Sequence, residues 1–443
     1  MRHRFPWLLT LGYATVYTAL GAIRFYAHRN FVDFGIFEQT AASAFGCFCN
    51  TIEGSHWAFH FSPILYVAGL IVTVWKSPLA LIALQAIAGA LTIPPIYALV
   101  QTHADARLAR LAGTVTALYP ALGGLTFGDF HENGFAPAAI AWMLWAYDAG
   151  RLRVAIVAAI LAIAVKEDQA IFVGIAGALG AWRFRGSMAG RVALIVSGLG
   201  FGCAALFFGL IQPHAAINPH WAPVRFYAWN ADDRRGLIPE GMFARAGFAL
   251  LAFLPLLFIP FRSPMMWLAA APLAEVLFSR MSTTYTLGTH YAGAWIGYVL
   301  VAFALGLSAL SPVRARNAAY GCIALCVLEF VVANPLHPGL NIHVPRAADR
   351  ALDRTIEAVP GNAGIATQEE AFAALALRDS NATVLPDDPH QPLVSGYVLI
   401  DRDFPNSPRL QEYGASFATL VRGHAYVLLH RDGGAELYQA FAR

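Results

Sequence analysis

Charge is scarce in this 443-residue chain: Lys, Arg, Asp and Glu together make up 13% of it, against 58% hydrophobic residues, and the mean hydropathy is +0.53. That balance excludes an ordinary soluble enzyme and points to a polytopic membrane protein. Cysteine is scarce too. The five present form no metal-binding pattern: Cys47 and Cys49 are too close for an easy disulfide, while Cys203, Cys322 and Cys326 fall in apolar helices as packing residues. The opening MRHRFPWLLTLGYATVYTALGAI lacks a convincing small-x-small cleavage site, and its apolar stretch is longer than a signal peptide usually carries; it reads as a retained first span. No nucleotide-binding glycine motif occurs toward the C-terminus, and no nucleic-acid partner is expected. The net charge of +3 says little, because the placement of the arginines is what matters in a membrane protein.

A membrane-crossing helix needs about 20 apolar residues. Runs of that order lie at 7–23, 78–100, 111–128, 134–149, 192–212, 244–261, 264–279, 293–311 and 318–334. Two further regions need arbitration: SPILYVAGLIVTVW at 62–75 is short, and 154–182 is broken by Lys166, Glu167 and Asp168. Arginines in short loops should fall on the cytoplasmic side. Every cluster from Arg2/Arg4 to Arg314/Arg316 does so if 62–75 lies on the outer surface and 154–182 is two short helices meeting at VKEDQ. About eleven spans result. Arg24, Arg29 and Lys76 fall outside, against the rule. In the outer segment 24–77, Phe37, Ala41, Phe45 and Phe48 are spaced for one helix face, which suits either a helix in the membrane interface or one packed on the bundle.

After about residue 335 the composition changes. Loop prolines, an amphipathic helix and then TVLPDD, SGYVLIDRD and HAYVLLHRDGG read as a small α/β domain over 335–443, outside the membrane, following a membrane domain over 1–334.

With this topology the outer side collects Asp33, Glu38, His56, His60, Asp129, His131, Glu132, Lys166, Glu167, Asp168, His290 and Tyr291. Carboxylates at membrane depth are costly and face a cavity or a partner, so they mark a site by default. Four stretches recur at outer helix ends: VDFGIFEQ (32–39), HFSP (60–63), GDFHENG (128–134) and VKEDQ (165–169). Asp129, His131 and Glu132 within one turn suit a divalent cation such as Mg²⁺ or Mn²⁺; equally, Asp129 and Glu132 suit caps for a helix beginning near Phe135. Lys166, Glu167 and Asp168 read as a local ion-pair network or as a phosphate contact by Lys166. His60 and His290 divide between structural donors and ligands. Glu275 and Glu329 sit near outer helix ends, where they would line the same cavity or cap a bundle contact.

Taken in order, VDFGIFEQ, HFSP, GDFHENG and VKEDQA resemble a family of predicted membrane proteins, domain of unknown function 2079, grouped with the GT-C superfamily of integral membrane glycosyltransferases. The resemblance covers roughly residues 1–310 and, more loosely, the C-terminal domain. It implies an α-helical polytopic GT-C-like fold and transfer of a sugar from a polyprenyl-phosphate or polyprenyl-diphosphate donor to a glycan, lipid or protein acceptor at the outer face of the cytoplasmic membrane, with the N-terminus inside. Residue by residue, it implies Asp33 as the general base, with catalytic roles for Asp129 and Glu132. Glu38, His60, Lys166, Glu167, Asp168, His290 and Tyr291 would contact substrate, and Asp129, His131 and Glu132 would hold any metal. The chain departs from the superfamily in one respect: two carboxylates one residue apart are absent from the first loop, where Asp33 and Glu38 are further separated. The rival functions are a lipid or glycolipid transporter with the same acidic cavity, and a non-catalytic membrane scaffold.

Overall fold

The computed structural model describes residues 4–215, 239–336, 344–404 and 406–441. Apolar runs must satisfy their backbone groups internally, which makes them helices. In chain order these are α1 (Phe5–Tyr26), α2 (Val32–Ala42), α3 (Leu65–Val74), α4 (Pro78–Ala90), α5 (Ile93–His103), α6 (Ala106–Leu118), α7 (Pro120–Phe127), α8 (Ala136–Asp148), α9 (Leu152–Ile163), α10 (Glu167–Arg183) and α11 (Met188–Leu206). They continue with α12 (Pro239–Phe253), α13 (Ala270–Phe278), α14 (Gly293–Ser308) and α15 (Pro312–Val332). Proline stands in the first turn of α1, α4, α5, α7, α8 and α15, where its missing N–H removes no intrahelical bond.

Among the described residues, five helical stretches are long and apolar enough to cross a membrane: Phe5–Tyr26, Pro78–His103, Met188–Ala215, His290–Ser308 and Pro312–Val332. Other apolar runs are interrupted. The run 111–128 is divided between α6 and α7, because Pro120 holds Tyr119 extended at φ −67°, ψ 118°. The run 244–261 leaves the α-helix at Phe253 and turns through Leu257 and Phe258, both at positive φ.

Residues 62–75 hold only the ten-residue α3. At about 1.5 Å per residue it is roughly half as long as the hydrocarbon core is thick, and cannot cross it. It packs against α2 and α4. The stretch 154–182 is α9 and α10, meeting at VKEDQ. Phe37 and Ala41 of α2 are buried against Leu65, Ala68 and Leu81, so that face serves bundle packing; α2 ends at Ala42, and of the two phenylalanines expected on the same face beyond it Phe48 is buried while Phe45 stays 61% exposed. The expectation for Cys47 and Cys49 is corrected: they form a disulfide. Phe48 between them takes a positive φ of 49°, which folds the chain back and brings the two Cα atoms to 5.2 Å, within bridging range. Cys322 and Cys326 are fully buried packing residues.

The C-terminal segment forms α16 (Ala347–Glu357), α17 (Glu369–Ala376), α18 (Pro408–Arg422) and a sheet of β3 (Ile365–Thr367), β4 (Thr383–Val384), β5 (Tyr397–Asp401), β6 (Tyr426–Asp432) and β7 (Ala435–Ala440) in the order β4-β3-β5-β7-β6. Strand β3 runs parallel to β4 and β5, and β7 is antiparallel to β5 and β6. Side chains alternate across the sheet. Leu399 and Leu437 meet Leu352, Ile356 and Phe372 from α16 and α17, while Val398, Ile400 and Tyr438 meet Tyr413 and Phe417 from α18. The first of these cores also takes in Ile36 of α2, so the sheet is packed onto the segment between α1 and α3.

Candidate active site

The N-terminal ends of α2, α10 and α14, with α13 and the turns at 53–60 and 131–133, enclose a cavity of about 620 Å³. Asp33, His60, His131, Glu132, Lys166, Glu167, Asp168, His290 and Tyr291 all line it. Three of the four recurrent stretches therefore converge on it, and the fourth contributes His60.

The placement of His131 and Glu132 begins with the carbonyls that a helix leaves unpaired at its C-terminus. At the end of α7 they are met by Gln85, a buried residue of α4. Its Nε2 lies 3.0–3.2 Å from the carbonyls of Leu125, Thr126, Gly128 and Asp129, and its Oε1 accepts the His131 N–H at 2.9 Å. One amide thus fixes the turn that aims His131 and Glu132 inward. From the other side Gly293 lets α14 reach this turn, since a Cβ there would run into the Asn133 carbonyl. That approach brings the His290 ring against His131, stacked with centroids 3.7 Å apart.

The structure places Asp129 elsewhere. Its carboxylate points away from the cavity, 2.7 Å from Arg24 Nη2, and accepts from Asn30 Nδ2 at 2.8 Å and the Phe31 N–H at 2.9 Å. It caps no helix, because α8 starts after Phe135 without a side-chain cap. What it does is tie the end of α1 to the turn, just ahead of Asp33. Glu38 is fully buried and also off the cavity, and neither carboxylate oxygen is hydrogen-bonded among the described residues. Burial, with the nearby Asp129, pushes its carboxyl well above the usual range.

Asp33 sits in the first turn of α2, with Oδ2 3.5 Å from His131 Nε2; His131 Nδ1 lies 3.2 Å from the Asp129 carbonyl and donates to it. Burial alone would raise the Asp33 carboxyl and lower the imidazole. Their pairing outweighs it, holding Asp33 below and His131 above their ordinary values. Asp33, His131 and His290 each offer a ligand atom, all within 4.8 Å of one another. One carboxylate and two imidazoles suit Zn²⁺ or Mn²⁺ better than Mg²⁺, which prefers an all-oxygen shell. This set replaces the expected Asp129, His131 and Glu132, since Asp129 is committed to Arg24.

On the opposite wall Lys166 Nζ lies 3.8 Å from Glu132 Oε1 and 4.0 Å from Asp168 Oδ2. These are ion-pair distances but too long for hydrogen bonds, so its N–H donors are not used up by them. Glu167 is tied to the HFSP stretch: its two oxygens lie 2.9 Å from the Phe61 N–H and 3.0 Å from His60 Nδ1. Burial and Lys166 both press the His60 imidazole down, yet Glu167 holds it above its ordinary value. A group whose folded pKa is raised contributes its stability in full below the unfolded value of about 6.5 and loses it as pH rises through the folded one. Replacing His60 by Gln should therefore lower the thermal midpoint clearly at pH 6 and much less at pH 9. An equal loss at both would show that the pair is not charged.

Sequence reasoning missed Glu53, which the turn between the short strands β1 (Cys49–Asn50) and β2 (Gly54–Ser55) brings to the cavity rim near His56. Its only signal was a glutamate in the tight TIEGSH turn. Glu275 also lines the cavity, and Glu329 does not.

The family model described as Predicted membrane protein (DUF2079) matches residues 29–228 and 237–412. No curated protein matches in sequence. Among solved structures, ArnT from Cupriavidus metallidurans bound to undecaprenyl phosphate is similar at TM-score 0.59 and 13% identity, covering 98% of each chain. Its apo state gives 0.56 and 12%, over 97% of this chain and 98% of that one. The Archaeoglobus fulgidus oligosaccharyltransferase in complex with Zn and sulfate gives 0.44 and 14%, over 96% and 73%. The chain shares its fold with ArnT.

Proposed function

The chain belongs to the DUF2079 family of predicted membrane proteins, and from that premise we propose that it is an integral membrane glycosyltransferase that moves a sugar from a polyprenyl-phosphate carrier to an acceptor. The observation that carries this reading is that Asp33 and Lys166 face one cavity, in a fold shared with a protein that binds undecaprenyl phosphate. Asp33, ionised beside His131, takes the proton of the acceptor hydroxyl. The freed oxygen attacks the anomeric carbon, the carbon–oxygen bond to phosphate breaks, and Lys166 compensates the charge that builds on the leaving phosphate. His60, Glu167, His290 and Tyr291 shape the walls that hold the sugar. A divalent cation on Asp33, His131 and His290 would add positive charge there, with Asp33 as ligand rather than base. Cation dependence of turnover separates the two roles.

In this reading about eleven spans over 1–334 leave the N-terminus cytoplasmic and put the cavity and the 335–443 unit outside. The Cys47–Cys49 disulfide in the first outer loop supports that side, since disulfides persist in oxidising compartments.

The test is release and transfer of label from a panel of radiolabelled polyprenyl-phosphate sugars by the purified protein. No turnover, together with no binding of polyprenyl phosphate, would reject the proposal. Lys166→Met should weaken undecaprenyl phosphate binding by about 10- to 100-fold, the worth of one or two charge-assisted hydrogen bonds. Unchanged binding would remove Lys166 from the phosphate site.

A further inference from the structure

We propose that Phe372, on the C-terminal helix α17, is a positioning residue for Asp33: it seats in a notch that Gly35 opens in α2 and thereby sets where the carboxylate stands in the cavity. The proposal rests on the transferase reading and gives the C-terminal unit a task within it.

Helix α2 has 11 residues, too few to hold its shape alone, and residues 34 to 41 are all buried. Its neighbours must therefore fix its position. Its most extensive packing partner is not a membrane helix but α17. At about 100° per residue, Asp33 and Gly35 lie on nearly opposite sides of the helix. One side faces the cavity and the other faces the C-terminal core. A Cβ on Gly35 would lie 2.5 Å from both Cδ1 and Cε1 of Phe372, so the ring touches the α2 backbone directly. The ring is fully buried among Leu352, Leu375, Leu399 and Leu437 and has nowhere to retreat.

Polar contacts repeat the attachment on either side of the notch. Gln39 Nε2 and Thr51 Oγ1 both donate to the Ala382 carbonyl, at 2.9 and 2.6 Å. Nearer the start of the loop, His28 Nε2 lies 3.0 Å from Asp353 Oδ1. The outer loop is thus held to the C-terminal unit along its length. Any change of volume at the notch moves α2 across its own thickness, toward or away from the cavity. Displacing a reacting group by about 1 Å costs up to 10²-fold in rate.

The test uses the full-length protein. Phe372→Ala should lower kcat at least tenfold with donor KM changed less than threefold. Gly35→Ala, which pushes from the other side, should do the same, and adding Phe372→Leu to it should restore part of the lost kcat. A merely structural role would reduce yield or thermal midpoint and leave kcat per folded molecule unchanged, and that result would overturn the proposal. Should Phe372→Ala not fold, Gly35→Ala and Phe372→Leu keep the sheet core filled and carry the test. If the wild type shows no Asp33-dependent turnover, the transferase reading has failed. Amide exchange then still judges the notch: faster exchange over residues 34–41 in Gly35→Ala, with α4 and α14 unchanged, supports it, and unchanged exchange rejects it.

Discussion

Asp33→Asn should reduce sugar transfer by about 10²- to 10⁴-fold, the usual contribution of a positioned general base, and leave binding of the lipid phosphate within about twofold. Asparagine keeps the shape of the side chain and its place in the first turn of α2, but it cannot accept the acceptor's proton. Three other carboxylates of the cavity are poor substitutes. Glu132 and Asp168 surround Lys166, and Glu167 is bonded to Phe61 and His60. The measurement is single-turnover transfer with a competent donor, beside equilibrium binding of polyprenyl phosphate. Full activity in Asp33→Asn would remove the base from the proposed mechanism. Loss of binding as well as turnover would make Asp33 a substrate ligand or part of a cation site with His131 and His290.

The second large effect is on stability. Arg24→Met leaves the Asp129 carboxylate buried without its counter-ion, and breaking a buried pair from one side costs about 3–5 kcal/mol. Both side chains are almost wholly buried, at 3% and 5% exposure, and Arg24 also donates to the carbonyls of Arg29 and Phe127. Thermal unfolding in detergent should show a much lower midpoint. Arg24→Met combined with Asp129→Leu should recover a good part of it, because two apolar groups leave no orphan charge. A double variant less stable than Arg24→Met would mean that the Asp129 bonds to Asn30 and Phe31 matter more than the charge.

Some of this was legible in the sequence because it depends on run length and on charge at helix ends. Residues 62–75 are too short to span, and the charges of VKEDQ must break 154–182 at a polar surface. The order VDFGIFEQ, HFSP, GDFHENG, VKEDQ identified the residues that meet in the cavity. The opposite assignments of Asp129 and His131, two residues apart, could not be read, since they depend on which way one turn points. Arg24, which ran against the positive-inside expectation, pairs with Asp129, a partner 105 residues away that is invisible in one dimension. The Cys47–Cys49 bridge depends on the positive φ of Phe48, which no composition signals. Gln85 and Gly293 looked like ordinary residues of apolar helices until the turn they serve was placed between them.

The Gly35–Phe372 contact also bears on how the protein is made. Some 340 residues separate the two, and at roughly 5–20 residues per second the ribosome needs about 17 to 70 s to go from one to the other. For that interval the helix bearing Asp33 is without its main cover. The cavity is therefore completed among the last events of synthesis. A chain stopped before residue 369 would carry the membrane helices and most of the charged side chains, yet would lack the part that holds Asp33 in place.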